Sequence, residues 1–218
     1  MHDLGVLFAV DRAGLVGQDG ATHHGYFDVS YLRTLPNMTV MAPGSASELE
    51  AMLRFGLELG RPAAVRFPRG EAVEVEGAGE APLELGKSEK VRDGSRVALF
   101  ALGDMLKTAI EAADLLEEQG ISTAVINARF AKPIDQELLV AQCDGLELVV
   151  TIEDNTVVGG YGQAVEDILS RRLRGVPVLI EGLPDSFIEH GSCSELFAMT
   201  GLTPGDIAAD VSAALVKA

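Results

Sequence analysis

The sequence predicts an α/β protein built from two α/β units with mostly parallel sheets. Three observations carry this expectation. Apolar runs of strand length, such as residues 97–102 and 146–153, alternate with stretches of helical spacing. The clearest runs are apolar at nearly every position, as strands covered by helices on both faces require. Composition agrees: 47% of the 218 residues are hydrophobic, only 5% are aromatic, and there is no Trp. A mean hydropathy of +0.21 separates the chain from disordered sequences.

The elements follow in order. Residues 5–10 read as a buried strand and 11–25 as a polar, glycine-rich loop. Residues 27–32 suit a short helix, and 38–42 a second strand closed by Pro43 and Gly44. Ser45 or Ser47 can cap the next helix, with Glu48 and Glu50 in its first turn. Gly60, Arg61 and Pro62 stop it. A third strand, 63–67, ends at Pro68-Arg69-Gly70. Residues 71–82 are rich in Glu, Gly, Ala and Pro and have weak periodicity, as a linker would. The expected division is a partial unit over 1–75, a linker over 76–84 and a complete α/β unit over 85–218. In the last, strands fall at 85–91, 97–102, 122–126, 146–153 and 176–180. Helices run from Gly103 to about residue 119, then over 134–142, 163–173, 194–200 and 204–216. Right-handed crossovers put helices on both faces. Ligands in such sheets sit beyond the C-terminal strand ends, where the loops at 11–25, 68–71, 103–105 and 154–162 belong.

Charge and cysteine usage exclude several functions. A net charge of -16 without a basic cluster argues against nucleic-acid binding. The densest basic run, Arg171, Arg172 and Arg174, suits a helix C-terminus. Two cysteines, Cys143 and Cys193, lack metal-ligand spacing and fit a reducing cytosol. No apolar run reaches the ~18 residues of a membrane span, and no signal-peptide pattern stands at the start, so a cytoplasmic protein is expected.

The richest chemistry lies in the loop from Arg12 to Gly25. It holds a guanidinium, Asp19, the adjacent His23 and His24, and several glycines. A guanidinium offers forked donors to phosphate or carboxylate. An imidazole can move a proton near neutral pH. The alternative is a rigid loop held by an internal Arg–Asp pair, with solvated histidines. Arg69, just past a strand end, can reach a ligand, whereas Arg66 reads as an edge or surface charge. Gly159-Gly160-Tyr161-Gly162 opens a helix whose N-terminus could accept an anion, although capping and close packing explain it better. Asp104 lacks partner ligands for a magnesium site. His190 reads as a solvent-facing loop residue, and Ser192 lacks nucleophile-elbow context.

Several of these segments resemble the 1-deoxy-D-xylulose-5-phosphate synthase family of the transketolase superfamily. The resemblance is carried by residues 8–14, with Asp11-Arg12-Ala13-Gly14, and by 17–20, 22–25 and 27–28. It continues at 35–38, 41–43, 64–70, 151–154, 159–162 and 184–191, across nearly the whole chain. It implies condensation of pyruvate with D-glyceraldehyde 3-phosphate to 1-deoxy-D-xylulose 5-phosphate and carbon dioxide, a precursor of isoprenoids, thiamine and pyridoxal. The implied cofactors are thiamine diphosphate and magnesium. Arg12 and Arg69 would bind the substrate phosphate. Asp19 and His23 would face the substrate as catalytic candidates, with His23 handling protons and His24 less certain.

The chain departs from the family in length. Neither the Gly-Asp-Gly…Asn motif that holds diphosphate and magnesium nor the catalytic glutamate has a counterpart here. The resemblance therefore implies a C-terminal portion: a partial pyrimidine-binding domain and a C-terminal domain, with no cofactor-binding or metal residue and no activity alone. The partial sheet is expected to lack neighbours and to be the less protected half. A homodimer is implied. The alternatives are one chain of a split transketolase-type enzyme, or a non-catalytic dimerisation or regulatory module.

Overall fold

The computed structural model describes residues 4–71, 73–173 and 175–217. Arg174, the end of the basic run, lies outside them. Two sheets carry the architecture. The first contains β1 (Leu7–Val10), β2 (Thr39–Met41) and β3 (Ala63–Arg66) as parallel neighbours in the order β1-β3-β2. Helices α1 (Asp28–Thr34) and α2 (Ala46–Glu58) make the crossovers. Ser45 caps α2: its hydroxyl accepts from the Glu48 N–H at 3.3 Å.

The second sheet has the order β4-β6-β5-β8-β9, with β4 (Glu89–Arg92), β5 (Val97–Ala101), β6 (Thr123–Asn127), β8 (Leu148–Thr156) and β9 (Val178–Leu183). Only β4 runs antiparallel there. Helices α3 (Met105–Glu118), α4 (Gln136–Cys143) and α5 (Tyr161–Arg172) connect the strands, and α6 (Cys193–Met199) and α7 (Pro204–Lys217) close the unit. β5 and β8 are buried along their whole length. One core cluster joins Leu99, Val150 and Ile152 to Leu106 and Ala113 of α3 and Val211 of α7, and a second joins Phe100 and Val149 to Val165 and Leu169 of α5. This is the two-faced burial that the continuous apolar runs require.

The expected strand at 85–91 begins later, at Glu89, because Gly86 takes a left-handed φ of 69° in a turn. A further strand, β7 (Phe130–Lys132), escaped the sequence reading. It leaves the second half of the chain and pairs antiparallel with β2, Val40 facing Lys132 and Met41 facing Phe130. The first sheet is therefore not short of neighbours at both edges: β7 closes the β2 edge. Among the described residues no strand pairs with the β1 edge, where Phe8 is 48% exposed.

Arg129 stands just before β7 and is 1% exposed. Its guanidinium donates to Glu48 Oε1 on α2 at 2.6 Å and to Glu89 Oε2 on β4 at 2.8 Å. Asn127 Nδ2 also donates to Glu48, at 3.0 Å. These groups tie the first sheet's helix to the second sheet. Replacing Arg129 by Met leaves two buried carboxylates without a cation. A loss of about 3–5 kcal/mol of stability is expected in urea unfolding; a loss under about 1 kcal/mol would show that the network is not a clamp.

Candidate functional site

The loop from Arg12 to Gly25 closes on itself. The Gly25 N–H donates to Gly14 O at 2.8 Å, and the Ala13 N–H donates to Phe67 O at 3.0 Å, docking the loop on the end of β3. A side chain at Gly25 would bring its Cβ within 2.2 Å of Arg12 O, so only glycine fits. Arg12 itself has a left-handed φ of 60°, an unfavourable backbone for a large residue, which aims its side chain outward. A 3-10 turn at Gly17–Asp19 then presents Asp19.

Three of the four predicted site residues meet. Asp19 Oδ2 accepts from Arg12 Nη1 at 3.4 Å and from Arg69 Nη1. Both arginines are about half exposed, so these pairs are screened by water and hold weakly. The Arg–Asp pairing of the structural alternative is thus present, but on the surface, where a stronger anion can compete for the guanidinia. His23 is exposed too, but its Nδ1 lies 3.0 Å from Thr22 Oγ1 rather than in this cluster. His24 is turned inward and buried, so the two adjacent imidazoles do not act as a pair. A cavity of about 420 Å³ opens behind the loop, walled by Leu15, Ser45, Phe67, Arg69, Asp104 and Lys107. Only Arg69 of the four predicted residues lines it.

Beneath the loop lies a cluster that sequence reasoning missed. Arg66 is no edge charge; it is 2% exposed. Its Nε donates to Asp28 Oδ2 at 2.9 Å and its Nη1 to Asp154 Oδ1. The reason is local: both faces of β3 are covered, so the side chain opposite Val65 enters the interface between the sheets instead of water. The available signal was an arginine inside an otherwise apolar parallel strand, where burial demands partners. Burial, outweighing Arg66, raises the Asp28 carboxyl above its usual range. Asp104 Oδ1 and Asp154 Oδ2 are both buried with no hydrogen-bond partner among the described residues. Burial first, and Asp154 second, push Asp104 well above the usual carboxylate range.

The Gly159–Gly162 turn does not present a free anion site. Glu153 Oε2 and Oε1 accept from the Tyr161 and Gly162 N–H groups, each at 2.8 Å, so the chain's own carboxylate fills the N-terminus of α5. Burial nonetheless raises Glu153 to about 7. Among the described residues, no group of three His, Cys, Asp or Glu side chains is placed to hold a metal ion. No helix of the described residues is long and apolar enough to cross a membrane.

Residues 86–207 match the family model of the transketolase C-terminal domain, and residues 1–73 that of the transketolase pyrimidine binding domain. The chain belongs to the transketolase family. It is 45% identical over 208 residues to the 1-deoxy-D-xylulose-5-phosphate synthase of Caldanaerobacter subterraneus, covering 95% of this chain and 33% of that one. It is 48% identical over 206 residues to the synthase of Pelotomaculum thermopropionicum, covering 93% and 32%. It thus spans about a third of the length of these curated relatives. Among solved structures, a split-gene transketolase described as an inactive beta4 tetramer superposes with a TM-score of 0.84 at 34% identity, covering 97% of this chain and 66% of that one. A transketolase mutant from Pichia stipitis shares the fold, with a TM-score of 0.76 at 16% identity over 98% of this chain and 30% of its own. These matches bear out the expected α/β fold and the resemblance drawn from the motifs.

The raised carboxyl of Asp104 has a testable pH signature. A folded-state pKa raised above the unfolded value of about 3.9 gives stability that is complete below that value and is lost as pH rises through the folded pKa. Asp104→Asn keeps a donor and cannot ionise. Wild type is expected to lose stability relative to this variant as pH rises above about 4 in thermal melts. Parallel curves would mean that Asp104 is ionised throughout.

Proposed function

We propose that this chain is the acceptor-binding, C-terminal part of a thiamine-diphosphate-dependent synthase that joins pyruvate to D-glyceraldehyde 3-phosphate, giving 1-deoxy-D-xylulose 5-phosphate and carbon dioxide. One observation carries the reading: Arg12 and Arg69, from the ends of two parallel strands, converge on Asp19 at the mouth of the loop. A phosphate dianion offers two guanidinia more charge and more acceptor oxygens than one carboxylate does. It would displace Asp19 from them and free that carboxylate to accept from a substrate hydroxyl. His23, exposed one turn later, is free to give or take a proton at the reacting carbonyl. Thiamine diphosphate with magnesium would supply the carbanion chemistry, held by parts of the enzyme outside the described residues. The synthase relatives, at 45–48% identity, support the substrate pair.

The split-gene transketolase neighbour favours a second reading, in which the remaining two thirds or so of the enzyme is a separate polypeptide. Co-purification of a second chain that restores turnover would support it. In either case we propose a cytoplasmic homodimer; a strict monomer in light scattering would reject the dimer.

Calorimetry of this chain separates the parts of the main reading. Glyceraldehyde 3-phosphate is expected to bind, and Arg12→Ala or Arg69→Ala to weaken it roughly 10–100-fold, the range for losing a charge-assisted bond. Equal affinity in both variants would remove the arginines from the site. Thiamine diphosphate with magnesium is expected to bind weakly or not at all; submicromolar binding would refute the division of labour.

A further inference from the structure

His24 is the one imidazole of the loop that faces inward, and its two ring nitrogens are both engaged. The Val16 N–H donates to Nδ1 at 3.1 Å. Val16 starts the 3-10 turn that ends in Asp19, and no side chain of the turn itself caps that end. A nitrogen that accepts carries no proton, so the neutral ring holds its proton on Nε2. Nε2 lies 3.4 Å from Glu189 O, an atom that can only accept. The two contacts therefore agree on a single tautomer.

Glu189 belongs to the strap between β9 and α6, in the second unit. That strap touches the loop repeatedly. The Tyr26 hydroxyl donates to Ser186 O at 2.8 Å and accepts from the Ile188 N–H at 3.2 Å. At the start of α6, just past the strap, Cys193 Sγ donates to Leu15 O at 3.3 Å. Gly17 backs onto Gly191 and Cys193, and Gly20 onto His190, with no room for a Cβ to spare. The strap carries none of the four residues proposed to meet the substrate, yet it forms the back wall of the turn that presents Asp19.

We propose that His24 is a positioning residue: a neutral imidazole wedged between the Val16 amide and the Glu189 carbonyl that sets where Asp19 and His23 stand relative to Arg12 and Arg69. It acts as a remote helix cap, satisfying a turn N–H from eight residues away and referring the turn to the second unit. This rests on the acceptor-binding reading above, and it adds that the C-terminal unit controls the geometry of a site to which it lends no substrate contact.

The test uses the full chain labelled with 15N. The two-bond spectrum of the ring is expected to show Nδ1 bare and Nε2 protonated. His24→Phe fills the space but leaves the Val16 N–H unpaired. It is expected to shift the Asp19 and His23 amide resonances and to weaken inorganic phosphate about five- to tenfold, the effect of one buried hydrogen bond. His24→Asn places Oδ1 where Nδ1 was and should restore phosphate affinity to within about twofold. Such rescue separates positioning from bulk packing. If His24→Phe does not fold, His24→Gln, which keeps its polar atoms toward Glu189 and strands Val16, takes its place. A ring protonated at Nδ1 would overturn the proposal. So would a variant with unmoved Asp19 and His23 resonances and unchanged phosphate affinity. If wild type binds no phosphate, the acceptor reading fails, while the tautomer and the amide shifts still decide the role of His24.

Discussion

The structure depends on one buried guanidinium. Arg66 has left water entirely, and a charge in that position persists only with partners in good geometry. It finds Asp28 at the start of α1 and Asp154 near the end of β8. The pairing joins a strand of the first sheet to a strand of the second. It also fixes both ends of the Arg12–Gly25 loop. Gly14 lies so close to Asp154 that an added Cβ would come within 2.1 Å of Oδ2, and Asp28 begins the helix that the loop runs into. The loop that gathers arginines and histidines is thus strung between two contacts of the same ion cluster.

Two kinds of charge pair serve different ends here. The Arg66 and Arg129 clusters are dry, and rearranging them would strand a charge, so they hold geometry. The Asp19 pairs with Arg12 and Arg69 are wet and individually weak, so they can be exchanged for a ligand at small cost. A rigid lower layer carrying a labile upper layer is what the proposed anion site would need if it is to be open yet ordered before a ligand arrives.

Most strands were legible because burial on both faces leaves a mark in the residues themselves: 97–102 and 146–153 can be little else. The loop stood out for its density of charge and imidazoles, and the structure brings Arg12 and Asp19 together with Arg69. Three features were not legible. β7 is only three residues long, too short to show a period, and its partner lies about 90 residues away. Arg66 was misread because alternation gives a face but not what covers it. The inward turn of His24 depends on Glu189, a contact 165 residues distant. In each case the deciding partner is remote in sequence, and local pattern carries no information about it.

The antiparallel docking of β7 has a consequence for biogenesis. A parallel sheet closed by its own crossovers could form as soon as residue 66 is available. Here the β2 edge waits for residues 130–132, and the Glu48 carboxylate waits for Arg129. During synthesis the first sheet must therefore stand with an uncovered edge while roughly 65 further residues emerge, a span long enough to invite pairing with a wrong chain. The first half of this chain cannot finish folding before much of its second half exists, which makes the chain one cooperative unit in time as well as in space.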